Sequence, residues 1–285
     1  MSRPQGRRRD ILDAVFCDEI GIEYGVYGDF RLRTAYQPIF APRGPLLHPV
    51  AVEGLVEIHC NGVPVSPTAF FAAAAPADRA FLEAMCRALH LRNFPNIGVD
   101  GLDLFLDYDP AAEVHPGRAL AEIRLMKRRL GAFGLTPGRL VCEITGQAAP
   151  NDAFLPALAR EMRRGGMRIA VDDFGAGHST EARVGLVRPD IVKIDGAWFA
   201  KLCRQAETRT LFKPLVSALH ARGPRVLVEG IENAEHLRVA LAGGVDLMQG
   251  FLLGRPALAG SIFDERPLRV EDLLRPGGDI VPLFG

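Results

Sequence analysis

Acidic and amide side chains recur at one kind of place along this chain, the end of a short apolar run. Glu53 closes Pro49–Val52, Asp107 closes Leu102–Leu106, Glu143 follows Leu140–Cys142, and Asp172 and Asp173 follow Arg168–Val171. Farther on, Lys193 sits inside Asp190–Asp195, Glu229 follows Arg225–Val228, and Gln249 follows Asp246–Met248. A single glutamate at a strand end is ordinarily a solvated loop residue, but such positions in series form a pattern. If the runs are buried parallel strands, their ends converge on one face. Carboxylates gathered there repel one another by roughly 3 kcal/mol per unit pair at about 5 Å and an effective dielectric near 20, and divalent cations are the natural remedy. An all-oxygen set favours magnesium, manganese or calcium over zinc. An aspartate shared by two ions is the usual bridge in two-metal hydrolysis, and Asp172–Asp173 is the bridge candidate.

The elements that must position these groups alternate along the chain. Strands are expected at Phe30–Ile39, Val50–Ile58, Leu102–Leu106, Leu140–Ile144, Arg168–Phe174, Asp190–Ile194, Val226–Ile231 and Leu247–Leu253. Helical composition or spacing fills Pro67–Ala75, Asp78–Leu91, Gly117–Phe133, Asp152–Arg164, Ser179–Leu186, Gln205–Arg222 and Ala234–Ala242. Gly131, Gly134, Gly165–Gly166, Gly223–Pro224 and Gly243–Gly244 stand where helix stops are expected. Eight strands with intervening helices predict an α/β protein, a TIM-type (β/α)8 barrel whose strand ends form the active face.

Composition narrows the function classes. At 285 residues and 48% apolar content the chain can bury one substantial core. We expect an N-terminal extension over residues 1–29, a barrel domain over 30–258 and a C-terminal tail over 259–285. Basic and acidic residues balance at 34 each, so no global field draws in a nucleic acid polymer or a membrane surface. The five cysteines, Cys17, Cys60, Cys86, Cys142 and Cys203, contain no C-x-x-C pair, which speaks against a disulfide framework and a cysteine zinc site. No apolar stretch approaches the roughly 20 residues of a membrane helix, and acidic residues interrupt the segment after Arg7–Arg9. A cytoplasmic location is the expectation.

The same residues admit other chemistries. Asp173-Phe174-Gly175 echoes the kinase D-F-G, but the chain has no G-x-G-x-x-G, V-A-I-K or H-R-D companion. The histidines show no H-E-x-x-H spacing, and His178, beside the aspartate pair, is the one of interest. Lys193 fits either an ion-pair partner or an imine-forming lysine of an aldolase-like barrel. The metal and imine readings both stand at this point.

Seven segments, in order, resemble the EAL-domain phosphodiesterases of bacterial cyclic di-GMP signalling: Tyr36–Ile39, Val52–Leu55, Glu143–Thr145, Asp172–Gly177, Val192–Asp195, Glu229–Glu232 and Gln249–Pro256. The resemblance runs from about Phe30 to Pro256 and implies a TIM-type barrel with one strand antiparallel. It implies two magnesium or manganese ions, the first on Glu53, Asp107, Glu143 and Asp172, the second on Asp172, Asp173 and Glu229. Lys193, Glu229 and Glu53 would serve catalysis, while Gln37, Leu55, Gln249 and Pro256 would line the substrate site. The product implied is linear pGpG, and a homodimer is implied through the loop after the fifth strand. The chain departs from the family pattern in four respects. Asp107 replaces an asparagine, Glu57 a phosphate-contacting arginine, and Gly146 a glutamate; Ala176, His178, Thr180 and Glu181 replace threonine, tyrosine, serine and leucine in the loop. Two functional readings follow: weak or conditional hydrolysis of cyclic di-GMP, or a catalytically degenerate domain acting as a cyclic di-GMP receptor or protein-binding regulatory module. Residues 1–29 and the altered loop are where a protein partner is expected.

Overall fold

The computed structural model describes residues 10–112, 115–144, 154–176 and 181–275. Its strands are β1 (Val15–Cys17), β2 (Glu23–Tyr27), β3 (Phe30–Arg43), β4 (Leu46–Cys60), β5 (Val63–Val65), β6 (Asp103–Tyr108), β7 (Leu140–Ile144), β8 (Arg168–Phe174), β9 (Ile191–Ile194), β10 (Arg225–Val228), β11 (Leu247–Met248), β12 (Ala257–Leu258) and β13 (Leu268–Arg269). The helices are α1 (Pro67–Ala73), α2 (Pro76–Asn93), α3 (Pro116–Arg129), α4 (Leu155–Arg164), α5 (Glu181–Val187), α6 (Gly196–Cys203), α7 (Ala206–Arg209), α8 (Phe212–His220), α9 (Ala234–Gly243) and α10 (Val270–Leu273). Eight strands close in the order β3-β11-β10-β9-β8-β7-β6-β4, and β4 returns to β3. β3 runs antiparallel to both neighbours; the six other junctions are parallel. The chain is therefore a closed mixed barrel of the TIM type with one reversed strand.

Alternation along each strand divides the residues between two cores. Inward-facing Ile39, Ala51, Phe105, Val141, Ala170, Ile191, Leu227 and Leu247 form an apolar plug inside the barrel. Outward-facing neighbours such as Leu104, Cys142, Ile169, Val192 and Val226 pack with the helices in the main core. A third cluster joins Leu32 and Ile58 of the β3–β4 hairpin to Phe70 of α1 and to Leu82, Met85 and Leu89 of α2. Gly54 marks the tightest approach of β4 to α2: a Cβ there would lie 2.9 Å from Cγ of His90 and 3.0 Å from Cδ2 of Leu106.

The strands β3 and β4 exceed the expected limits because beyond the barrel they continue as a hairpin, which pairs with β2 and β5. β1 and β2 form an antiparallel hairpin laid against β3. Its anchor is the fully buried Asn93, whose amide accepts from Glu23 N at 2.8 Å and donates to Glu23 O at 2.7 Å, standing in for a strand partner. Arg92 clasps the Glu23 carboxylate beside it.

Several expectations are corrected. α6 was not anticipated, although Asp195 caps it by accepting from Trp198 N at 2.7 Å. The expected helix Gln205–Arg222 is two helices, α7 and α8, parted at Thr210–Leu211. The expected strand Leu247–Leu253 pairs only over Leu247–Met248, after which the chain turns. The ends of two expected helices, Asp152 and Ser179, lie outside the described residues, as do Thr145, Gly146, Gly177, His178 and Thr180. No helix among the described residues is long and apolar enough to cross a membrane.

Candidate metal centre

On every barrel strand the residue two positions beyond the plug, toward the mouth, is polar. Ala51 leads to Glu53, Phe105 to Asp107, Val141 to Glu143, Ala170 to Asp172, Ile191 to Lys193, Leu227 to Glu229 and Leu247 to Gln249; on the reversed β3, Ile39 leads to Gln37. Since side chains alternate with period two, all eight face the barrel axis, one layer above the plug. Glu53 thus lies inside a long strand rather than at its end.

Lys193 is the hub of this layer. Its ammonium is fully buried and lies 2.6 Å from Glu143 Oε1, 2.8 Å from Glu229 Oε1, 3.1 Å from Glu53 Oε1 and 3.6 Å from Asp172 Oδ1. Burial alone would strip its proton, but Asp172, Glu143, Glu229 and Glu53 hold the ammonium well above the ordinary lysine range. An imine-forming lysine must be neutral to attack a carbonyl, so this environment is the opposite of what aldolase chemistry requires. The Gln249 amide donates to Glu53 Oε2 at 2.7 Å and to Gln37 Oε1 at 3.2 Å, while Gln37 donates to Gly254 O at 3.0 Å.

Asp173 is off the inward column. A register irregularity between Val171 and Phe174 and a left-handed backbone, φ 57°, turn it aside. It shares a groove with Asp107 and Leu55, lined further by Phe71, Arg79 and His90. The segment after Glu229 approaches the start of α6 so closely that a Cβ on Gly230, φ 68°, would lie 2.8 Å from Cα of Gly196. Leu55 is half-buried and Pro256 exposed at the rim.

The electrostatics are lopsided. Glu53, Glu143, Asp172 and Glu229 share one ammonium, and Asp107 and Asp173 add two more carboxylates beside them. Burial works against the charge of Glu53, yet Lys193 and the Gln249 amide hold it below the ordinary carboxylate range. The others pay for their crowding. Burial, then the charge of Glu53, lifts Glu143 well above that range. Burial and the charges of Glu53 and Asp172 push Asp107 up to about 8, although part of its surface is open to solvent. Glu229 is pushed up to about 8 by burial, with Lys193 opposing and Asp172 adding to the rise, and Asp173 to about 6 by burial and by Asp172.

Ligand atoms of Glu53, Asp107 and Glu143 lie within 4.8 Å of one another, a spacing one ion can span. Both oxygens of Glu143 are buried and, apart from the ion pair to Lys193, neither receives an aligned hydrogen bond; Gln249 Oε1 is likewise orphaned. Unpaired buried oxygens among excess negative charge are what a hard divalent cation satisfies. The residues present therefore fit a metal.

Fold and site together define a class: a TIM-type barrel with an acidic, metal-suited layer at the mouth of its strands. The EAL domain family model matches residues 28–256, and the chain belongs to that family. Over 152 residues it is 32% identical to the cyclic di-GMP phosphodiesterase RocR of Pseudomonas aeruginosa, covering 51% of this chain and 38% of RocR. Over 142 residues it is 28% identical to the cyclic di-GMP phosphodiesterase PdeF of Escherichia coli, covering 49% of this chain and 19% of PdeF. The matched region thus spans less than two fifths of these curated relatives. Among solved structures, the manganese and cyclic di-GMP complex of Klebsiella pneumoniae BlrP1 superposes with a TM-score of 0.68 at 26% identity, over 80% of this chain and 56% of BlrP1. A standalone EAL protein from Vibrio cholerae shares the fold, with a TM-score of 0.69 at 22% identity over 81% of this chain and 94% of that one.

Proposed function

We propose that this chain is a metal-dependent phosphodiesterase that opens cyclic di-GMP to linear pGpG. The observation that carries the reading is the surplus of carboxylate around Lys193, with both Glu143 oxygens buried and held by no hydrogen bond beyond the Lys193 ion pair. Relatives named as cyclic di-GMP phosphodiesterases support the choice of substrate. Glu53, Asp107, Glu143 and Asp172 would hold one magnesium or manganese ion, and Asp172, Asp173 and Glu229 a second. When bound, such ions supply a lowered pKa for the attacking water and positive charge for the phosphate.

The chain's own residues do the positioning. Lys193 Nζ keeps its proton and gathers Glu53, Glu143 and Glu229 around the place where the attacking water and the phosphate would meet. Gln249 fixes the Glu53 carboxylate through Oε2, and Gln37 steadies Gln249 in turn. Leu55 and Pro256 would bound the nucleotide. In the reaction one P–O3′ bond breaks, the oxygen of one water takes its place on phosphorus, and the leaving 3′-oxygen ends protonated. A homodimer through the loop after β8 belongs to the same reading.

One observation favours a second reading, a cyclic di-GMP receptor or protein-binding module without turnover: β4 carries a further carboxylate, Glu57, four residues beyond Glu53 on the same face of the strand. Purified protein incubated with cyclic di-GMP and manganese or magnesium, with EDTA and Glu53→Ala controls, separates the two. The enzyme reading expects metal-dependent pGpG that the substitution abolishes. Intact nucleotide in every lane would favour the receptor.

A further inference from the structure

Glu57 does not stand alone on that face. In the β3–β4 ladder Gln37 pairs with Glu53, Ala35 with Leu55 and Arg33 with Glu57, so these six residues share one face of the ladder, which continues from the metal-suited layer into the hairpin beyond the barrel. Arg33 Nη2 donates to Glu57 Oε1 at 2.8 Å, and both side chains are 39% exposed. His59 Nδ1 lies 3.5 Å from the same carboxylate oxygen. Of the five N–H donors of the guanidinium, Nη2 gives one to Glu57, and Nε is buried with no hydrogen-bond partner.

A cyclic dinucleotide carries two phosphodiester anions. The one being cut lies at the carboxylate layer; the other needs a cation elsewhere on the mouth. Lys193 is saturated by four carboxylates. Arg87 is taken by Glu83 and Glu122. Arg31, at the rim, lies over the Tyr24 ring, 4.2 Å from its centroid. Arg33 stands between the layer and the rim, four residues along β3 from Gln37, about 13 Å of strand, with a planar fork suited to phosphate.

Resting on the phosphodiesterase reading, we propose that Arg33 is the contact for a substrate phosphate and that Glu57 is its positioning residue. The carboxylate that would by itself repel the nucleotide instead aims the cation that binds it. Arg79, which lines the neighbouring groove, and the exposed Arg255 beside Pro256 are competing cations among the described residues.

Calorimetric titration of cyclic di-GMP in calcium, with the nucleotide checked intact by chromatography, tests this alongside steady-state kinetics in manganese. Arg33→Ala is expected to weaken binding about tenfold or more, since a charge-assisted fork to phosphate is lost, with the loss falling in KM rather than kcat. Arg33→Glu should lose more, and the exchanged pair Arg33→Glu with Glu57→Arg should recover most of that loss, melting temperatures being followed throughout to confirm folding. Wild-type affinity in a folded Arg33→Ala, or a loss caused by Arg79→Ala and not by Arg33→Ala, overturns the assignment while leaving the phosphodiesterase reading intact. A wild-type chain that neither binds nor cuts cyclic di-GMP overturns both.

Discussion

The two ends of the barrel are built on the same strands and differ in how their charges are balanced. Below the plug, Arg43, His48, Arg168 and Arg225 share a cavity of about 410 Å³ with Asp100, Asp103 and Glu265. Above it, four carboxylates surround Lys193, with Asp107 and Asp173 nearby. On β8 the change takes four residues: Arg168 below, Ala170 in the plug, Asp172 above. The lower charges come in both signs, and Arg168 meets Asp103 at 2.6 Å. Balanced, partly exposed charge of that kind holds a fold together without calling for a ligand. Among the described residues the upper layer sets one ammonium against its carboxylates, and burial first, then their mutual charge, holds Asp107, Glu143 and Glu229 above the ordinary range. Imbalance, rather than the presence of charge, distinguishes the functional end.

The largest expected effect comes from removing the buried counterion that four carboxylates share. Lys193→Met leaves Glu53, Glu143, Asp172 and Glu229 without their shared cation, and the metal-free chain should lose about 3–5 kcal/mol of stability, as other broken buried pairs do. Denaturant unfolding with EDTA and with manganese checks this; added manganese should restore part of the loss if the mouth is a cation site.

A smaller effect is expected from pH. In metal-free protein the folded values of Asp107 and Glu229 lie near 8, above the ordinary carboxylate range. The folded state therefore binds more protons than the unfolded one across that interval. By linkage the stabilisation is fully present below the unfolded values and is lost as pH rises through about 8. EDTA-treated protein should melt at a higher temperature at pH 6 than at pH 8.5, and saturating manganese should flatten or reverse the slope. A melting temperature that rises with pH in EDTA would contradict the electrostatic picture.

The smallest effect belongs to the lower end. Arg168→Met breaks a partly exposed pair and should cost about 1 kcal/mol, with the same difference in EDTA and in manganese. A manganese-dependent difference would erase the contrast between the ends.

Much of this was legible in the linear chain because the barrel repeats one local rule. Each apolar run supplies a plug residue, and the polar residue two positions on must share its face. β7 and β8 have the limits that their apolar runs predict. The rest depended on information that no local run carries. Asp173 is turned by a bulge and a positive φ, which the pair Asp172–Asp173 does not announce. Glu57 looked like an isolated repulsive charge because its partner, Arg33, lies 24 positions earlier and is brought opposite only by the register of an antiparallel hairpin. Asn93 and Glu23, 70 positions apart, show the same limit in the anchor of the N-terminal hairpin.

The central claim, that the mouth is a divalent-cation site built by unbalanced carboxylates, is most directly tested by calorimetric titration of manganese into metal-free wild-type and Glu143→Gln protein. Our account predicts saturable binding by the wild-type chain and a clear loss of affinity in the variant, whose amide cannot supply the buried negative oxygen. No saturable binding in the wild type, or equal affinity in the two, would contradict it.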